Sequence, residues 1–518
     1  MIQQLEPPVN PNIFSRPQRF HRESSLLLSL FYTFTGELDK ALAYAQEGIE
    51  VGQRFHSVFI RSVAYMRLGH ALQLRRRFDI DHSEMEQIRS YYDEAINSVD
   101  IARIHVEPLW GLCRLLGFSG RLTEAREIGE RALSIAHSAG DQWIGVLVRI
   151  SLGASMALAG KFESASQELT IAESTAAKVG DNLTRSAALL WLADCALHQG
   201  YLSSFCIYIE QALTLIERYQ YQFLLSRSTM LGSDHPEDFI PILLEARRQN
   251  IRAEFVQQLL QEVDAQHLSY HPGYTLRIQT FGGFNVWLGR KMVDASEWKR
   301  EKSRQLLQVL VAKNGKWLSR DQITVLLWPD ADPKTASNNL KVSLSTLNQV
   351  LEPQRPREEA PYFILRRAEQ YMLNPQARIV IDAAEFEELA KTHDPIQMAE
   401  AAKLYRGYYF ENDPIQEYFV LEERYFHELY LRIMDELIQD AFNRNEPNQA
   451  LDYAQVLLAH DPLWEPGYRY LMQAYAKLGN HAMVLQSFQQ CQEVLSRQLG
   501  SAVSAETQAM FAELTKAP

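Results

Sequence analysis

The sequence predicts a mainly α-helical chain with one small α/β module set between two helical regions, and three observations carry that prediction. A short motif built on glycine returns every 40 residues through the first half of the chain. At "HPGY", from His271, the apolar spacing switches to the short alternating runs of strands. Helical spacing returns inside the module, gives way to two more β-runs, and resumes from Asp382 to the end.

A chain of 518 residues is too long for a single core. The expected divisions are an extension at 1–23, a solenoid at 24–230, a helical linker at 231–272, the α/β module at 273–380 and a helical domain at 381–518. Hydrophobic content of 46% with 22% charged residues is ordinary for globular protein, which argues against a disordered or fibrous chain. No apolar run approaches the ~18 residues of a membrane span, and "MIQQLEPPVNPNIF" lacks the basic stretch and apolar core of a secretory signal. A cytoplasmic location and no membrane partner are therefore expected. Cys113, Cys195, Cys206 and Cys491 form no Cys-x-x-Cys pair, so neither a metal site nor a disulfide framework is suggested. They read as buried thiols in a reducing compartment.

The solenoid rests on its repeats. "GRLTEA" begins at Gly120, "GKFESA" at Gly160 and "GYLSSF" at Gly200, while "GDQW" at Gly140 and "GDNL" at Gly180 keep the same period. Each unit reads as helix, Gly turn, helix, Gly-Asp turn. "GELDKALAYAQEGI", from Gly36, belongs to the set, and the unit between carries a polar insertion near "RRRFDIDHSEME". Ala41, Ala125 and Ala165 follow the turn, with Gly48, Ala132, Ala172 and Ala212 seven residues after that position, so paired helices can approach closely. The pattern resembles tetratricopeptide-type repeats of longer period, as in bacterial multi-domain regulators. That resemblance implies an α-solenoid whose concave side receives a protein or small-molecule signal. Two short amphipathic helices, at about 236–249 and 251–265, follow.

In the middle module, "YTLRIQTFGGFNVWLGRKMV" reads as strands and hairpins split by glycine. "KSRQLLQVLVAKNG" and "SRDQITVLLW" read as helices, the second with a capping box from Ser319 and Gln322. In "WPDADPKTASNNLKVSLSTLNQVLEP" Asp332 can cap a third helix and Pro333 suits its first turn. Ala336, Leu340, Leu344, Leu347 and Leu351 form an apolar stripe; Lys334, Asn338, Lys341, Ser345 and Asn348 form a polar stripe without acid. "YFILRRAEQYML" reads as a hairpin with Arg366 and Arg367 near its tip. Between Gly273 and Val380 there are 17 Lys and Arg against 10 Asp and Glu, whereas the remainder holds 35 against 54. A basic module between acidic ones fits a local polyanion-binding surface.

Strands, three helices and a terminal hairpin describe a winged helix-turn-helix, whose third helix enters the major groove of DNA. Asn can bond adenine N6 and N7 together, and Lys334 and Lys341 can approach phosphates or guanine. The candidate DNA-binding set is Lys334, Thr335, Asn338, Lys341, Val342, Ser345 and Asn348 on the helix, with Arg366 and Arg367 on the wing. Lys299, Arg300, Lys302 and Arg304 fit phosphate contact and plain solvation equally well. Trp298, Trp317 and Trp328 read as packing residues.

"LRIQTFGGFNVWLG", "KREKSRQLLQVLVAKNGKWLSRDQITVLLWPDAD" and "ASNNLKVSLSTLNQVLEP" resemble the response-regulator-type winged helix of SARP-family activators, the bacterial antibiotic regulatory proteins. Residues 382–516, with "EAAKLYRGYYFENDPIQEYFVLEERYFHELYLRIMDEL", resemble the bacterial transcriptional activator domain that follows it there. Within that domain "NEPNQALDYAQ" aligns with "GNHAMVLQSFQ" 34 residues on, a degenerate repeat in which Val484 and Cys491 replace small residues. The N-terminal repeats resemble the sensor arm of large activators of the maltose-regulon type. Together these resemblances imply double-stranded promoter DNA and RNA polymerase as partners, homodimer formation and an activating role. The reading helix of that family is usually richer in Arg than this one, which has Asn339, Ser345, Thr346 and Asn348.

No Gly-x-x-x-x-Gly-Lys-Ser/Thr occurs, so no cofactor is expected in this chain: an ATPase domain lies upstream or on another chain, or this is a form that senses without nucleotide. His-Glu-x-x-His and Gly-x-Ser-x-Gly are absent too, and no catalytic or metal-binding residue is expected. The alternative to a DNA-binding regulator is a non-enzymatic repeat scaffold for protein partners, with the winged helix reduced to an interaction module.

Overall fold

The computed structural model describes residues 23–75, 82–98 and 102–515. The expected N-terminal extension, apart from Glu23, and residues 76–81 of the expected polar insertion lie outside them. The protein is mainly helical, with 23 α-helices and seven short strands among the described residues. It divides into two compact units, Met1–Tyr274 with Pro356–Glu359, and Thr275–Arg355 with Ala360–Pro518.

The first unit is a run of antiparallel helices: α1 (Ser24–Thr35), α2 (Leu38–Arg54), α3 (Val58–Leu74), α4 (His82–Ser98), α5 (Ala102–Phe118), α6 (Leu122–Ala139), α7 (Gln142–Leu158), α8 (Phe162–Val179), α9 (Asn182–His198) and α10 (Leu202–Tyr219). The glycines of the 40-residue repeat end helices in the left-handed region, Gly120 at φ +82° and Gly160 at +73°, where a side chain would be strained. Ala41, Ala125, Ala132, Ala165, Ala172 and Ala212 are all fully buried, as the close approach of paired helices requires. Helices α1, α3, α5, α7 and α9 touch one another in turn and form an inner layer. Beyond α10 come α11 (Phe223–Ser226), α12 (Ile240–Arg248) and α13 (Ala253–Glu262).

The irregular segment 227–234 runs across the inner layer. Met230 N donates to Thr33 O of α1 at 3.1 Å, Ser228 Oγ to Leu74 O of α3 at 3.4 Å, and Trp191 Nε1 of α9 to Leu231 O at 3.4 Å. From α5, the buried Arg114 donates to Thr229 O at 2.9 Å, Met230 O at 3.2 Å, Gln73 Oε1 at 3.1 Å and the Asp234 carboxylate at 2.5 Å. Thr33, Leu74 and Arg114 are one repeat apart, so the segment bonds equivalent points of successive units. Its carbonyls, which no regular structure serves, are satisfied this way.

The second unit opens with β1 (Leu276–Gln279), β2 (Asn285–Leu288) and β3 (Lys291–Met292), then α14 (Glu301–Ala312), β4 (Leu318–Ser319), α15 (Arg320–Leu327) and α16 (Pro333–Leu351). The hairpin β5 (Ile364–Arg367) and β6 (Gln370–Leu373) follows, and β7 (Ile379–Ile381) returns to pair parallel with β1. The sheets run β3-β2-β1-β7 and β4-β6-β5. The remainder is helical: α17 (Asp382–Ala390), α18 (Pro395–Leu404), α19 (Val420–Asn443), α20 (Pro447–His460), α21 (Glu465–Lys477), α22 (His481–Leu499) and α23 (Ala505–Leu514). Asn445 and Gly479, 34 residues apart, both turn the chain in the left-handed region, at φ +58° and +73°.

Within this unit the α/β module and the helical domain share one core. Asp382, at the start of α17, accepts Thr280 N at 2.7 Å, Thr280 Oγ1 at 2.6 Å, Phe281 N at 3.1 Å and Ala383 N at 2.8 Å. The Phe281 ring meets Phe386, Tyr405, Tyr409 and Phe426. Gly282, at φ +70°, leaves room for this closure: a Cβ there would stand 2.8 Å from Arg406 O. The Gly-Gly of "TFGGF" thus admits the "LYRG" turn of the helical domain.

Candidate nucleic-acid interface

The candidate surface is built on α16, which packs on α14 and α15. Asp332 caps it, accepting Lys334 N at 3.0 Å and Thr335 N at 3.1 Å. The Thr335 hydroxyl and these N–H groups hold the Asp332 carboxyl below its usual range. The capping box of α15 is present, with Ser319 Oγ accepting Gln322 N at 3.2 Å and Gln322 Oε1 accepting Ser319 N at 2.8 Å.

One face of α16 is buried through Ala336, Leu340, Ser343, Leu347, Val350 and Leu351, with Leu344 half-buried beside them. On the opposite face Lys334, Thr335, Asn338, Lys341, Val342 and Ser345 are exposed. Asn348 departs from this set. It is half-buried, and its Oδ1 is closed from solvent without a hydrogen-bond partner. Its neighbour Gln349 is exposed instead and accepts from Lys299 Nζ at 3.4 Å. A step of four from Ser345, rather than three, finds Gln349 in the sequence, because the helix turns 3.6 residues at a time.

The wing pairs Arg366 with Tyr371 and Arg367 with Gln370. Both arginines are exposed. Arg366 Nε donates to Ala368 O at 3.1 Å and its guanidinium lies 5.9 Å from the Tyr371 ring centre, which fixes its direction. Ala368, at φ +54°, makes the tip with Glu369. Arg320, at the start of α15, donates to Glu369 O at 2.8 Å through its backbone and to the carboxylate at 2.7 Å through its side chain. The acid at the tip is therefore offset by a cation.

A residue not singled out from the sequence joins the helix to the wing. Glu352, just past α16, is buried and accepts Tyr362 N at 2.8 Å and Phe363 N at 3.0 Å. Burial pushes its carboxyl up, against the pull of those bonds and of Arg355. Nothing in the periodicity marks this role, since Glu352 lies beyond the last apolar position.

Of the four cations near α14, Lys299 and Arg300 are exposed and Lys302 is half-buried. Arg304 turns inward, donating to Asp413 at 2.5 Å beside Gln308 Nε2, which donates to the same oxygen at 2.8 Å. It belongs to the contact between module and helical domain, not to a phosphate-facing surface. Trp298 is buried and Trp317 and Trp328 half-buried, as packing residues should be.

Among known families, the bacterial transcriptional activator domain matches residues 381–515. No curated protein matches the chain significantly. Among solved structures, the chain is similar to Mycobacterium tuberculosis EmbR, solved in complex with a low-affinity phosphopeptide, at 16% identity and a TM-score of 0.38, over 46% of this chain and 65% of that one. It is also similar to Naa15/Naa10 bound to HypK-THB, at 10% identity and a TM-score of 0.18, over 96% of this chain and 60% of that one. The chain thus spans less than two thirds of the length of either. No helix among the described residues is long and apolar enough to cross a membrane.

Proposed function

We propose that the chain is a DNA-binding transcriptional regulator of the SARP type, an activator, in which the helical repeats of the first unit receive a signal and α16 with its wing binds promoter DNA. The observation that carries this reading is the acid-free exposed face of α16, Lys334 to Ser345, beside a wing that presents Arg366 and Arg367. The match of residues 381–515 to a bacterial transcriptional activator domain supports the regulatory role. In this reading Lys334, Lys341, Arg366 and Arg367 contact phosphates, while Asn338 and its neighbours face base edges. The helical domain sharing a core with the winged helix mediates dimerisation or contact with RNA polymerase.

Binding of the full-length chain to duplex DNA at a series of salt concentrations tests the reading. A DNA binder loses affinity linearly on logarithmic axes, with a slope of about −0.9 for each phosphate neutralised. A chain that shows no retention at low salt is a protein scaffold instead.

A further inference from the structure

This inference rests on α16 being the reading helix, and it concerns which bases that helix takes. Several polar side chains of α16 are already committed within the protein. Thr346 Oγ1 donates to Val342 O at 3.0 Å, the Thr335 hydroxyl is held by Asp332, and Gln349 is tied to Lys299. Asn348 has its oxygen closed off, and Asn339 is half-buried. What remains at the middle of the exposed face is Asn338, Lys341, Val342 and Ser345.

That set has two properties. It contains no Arg, so the commonest bidentate contact to guanine O6 and N7 is missing. It also contains a valine that is 43% exposed although every side chain around it on that face is polar. A lone exposed valine on a solvated helix needs no explanation. This one lies one helical turn from Asn338, about 6 Å away, on the face a major groove would receive. The apolar feature of that groove is the C5-methyl group of thymine.

We infer that base selectivity resides in Asn338, which takes adenine, and Val342, which takes a thymine methyl, so that the chain recognises an A·T-containing site partly through a methyl group. Asn338 accepts from adenine N6 and donates to N7 through its amide. Val342 covers the methyl of a thymine within one or two base steps, since a helical turn spans little more than one step of the duplex.

The test uses the full-length chain on the duplex it selects from a random pool. Each thymine is replaced in turn by deoxyuridine, which deletes the methyl and keeps the pairing. At one or two positions the affinity should fall about fourfold, the effect of burying one methyl-sized group. Val342→Ala should bind the thymine duplex more weakly and no longer distinguish thymine from uracil there. Asn338→Ala should relax the preference for adenine at a nearby position while keeping the uracil effect. Because Val342 is on the surface, its variant should unfold at the temperature of the parent, and that comparison accompanies the binding data. A selected site insensitive to uracil at every thymine, or equally sensitive in Val342→Ala, overturns the assignment and leaves DNA reading by α16 standing. A folded chain that selects no site overturns the reading on which the assignment depends.

Discussion

Glu352, at the end of α16, accepts the backbone N–H of Phe363, 11 residues later, at 3.0 Å, just ahead of the first wing strand. One carboxylate oxygen, which also serves Tyr362, sets the position of the wing relative to the exposed face of α16. Glu352→Ala leaves two buried N–H groups without an acceptor, and a loss of about 2–3 kcal/mol is expected. Glu352→Gln keeps an acceptor oxygen and should lose less. Urea denaturation of the two variants checks the order.

A second expectation concerns the ion pair inside the first unit. Arg114 and Asp234 are both almost fully buried, and Arg114 also holds the carbonyls of Thr229 and Met230. Arg114→Ala removes the cation beside a buried carboxylate and should cost about 3–5 kcal/mol. Removing the partner as well, in Arg114→Met with Asp234→Asn, should recover part of that loss, and the difference in denaturation midpoint reads the coupling.

Much of this architecture is legible in the sequence, for identifiable reasons. Gly120, Gly140, Gly160, Gly180 and Gly200 mark helix ends because each sits at positive φ, a backbone requirement that leaves a visible letter. The burial of Ala336, Leu340 and Leu347 follows from helical spacing in the same direct way. Contacts between distant segments leave no period. Arg304 reads as one more cation in a basic stretch until Asp413, 109 residues on, is placed beside it. Likewise "LGSD", from Leu231, falls in the expected linker, and only the fold shows Leu231 buried against the inner helices. At Asn348 the error is smaller, one position on a helix, but it exchanges a half-buried side chain for an exposed one.

Acid should weaken the first unit. His70 is fully buried between the Tyr92 and Trp110 rings, without a hydrogen-bond partner for either nitrogen. Burial first, then Arg67 and Arg114, hold its pKa well below the ordinary value. Burial pushes His271 down to about 3. A folded-state pKa below the unfolded value of about 6.5 means that the stability is present above that pH and is lost as the pH falls toward the folded value. Each histidine should steepen the decline by roughly 1.4 kcal/mol per pH unit below about 6.5. Denaturation between pH 7 and 4 checks this, and His70→Phe should remove one histidine's share of the slope.

Phosphate and base contacts should separate in mutagenesis. Lys341→Ala should weaken binding to all duplexes alike and reduce the salt slope by about one. Asn338→Ala should leave the slope unchanged and cost about 1–3 kcal/mol on the preferred site, with little change elsewhere. Titrations of both variants against selected and random duplexes at several salt concentrations distinguish the two effects.

The central claim, that the exposed face of α16 reads DNA, is tested most directly by selecting binding sites from a random duplex pool with the full-length chain and with its Asn338→Ala/Lys341→Ala double variant in parallel. The account predicts an enriched motif with the parent chain and its loss with the variant, although both remain folded. Enrichment of the same motif by both, or of none by either, would contradict it.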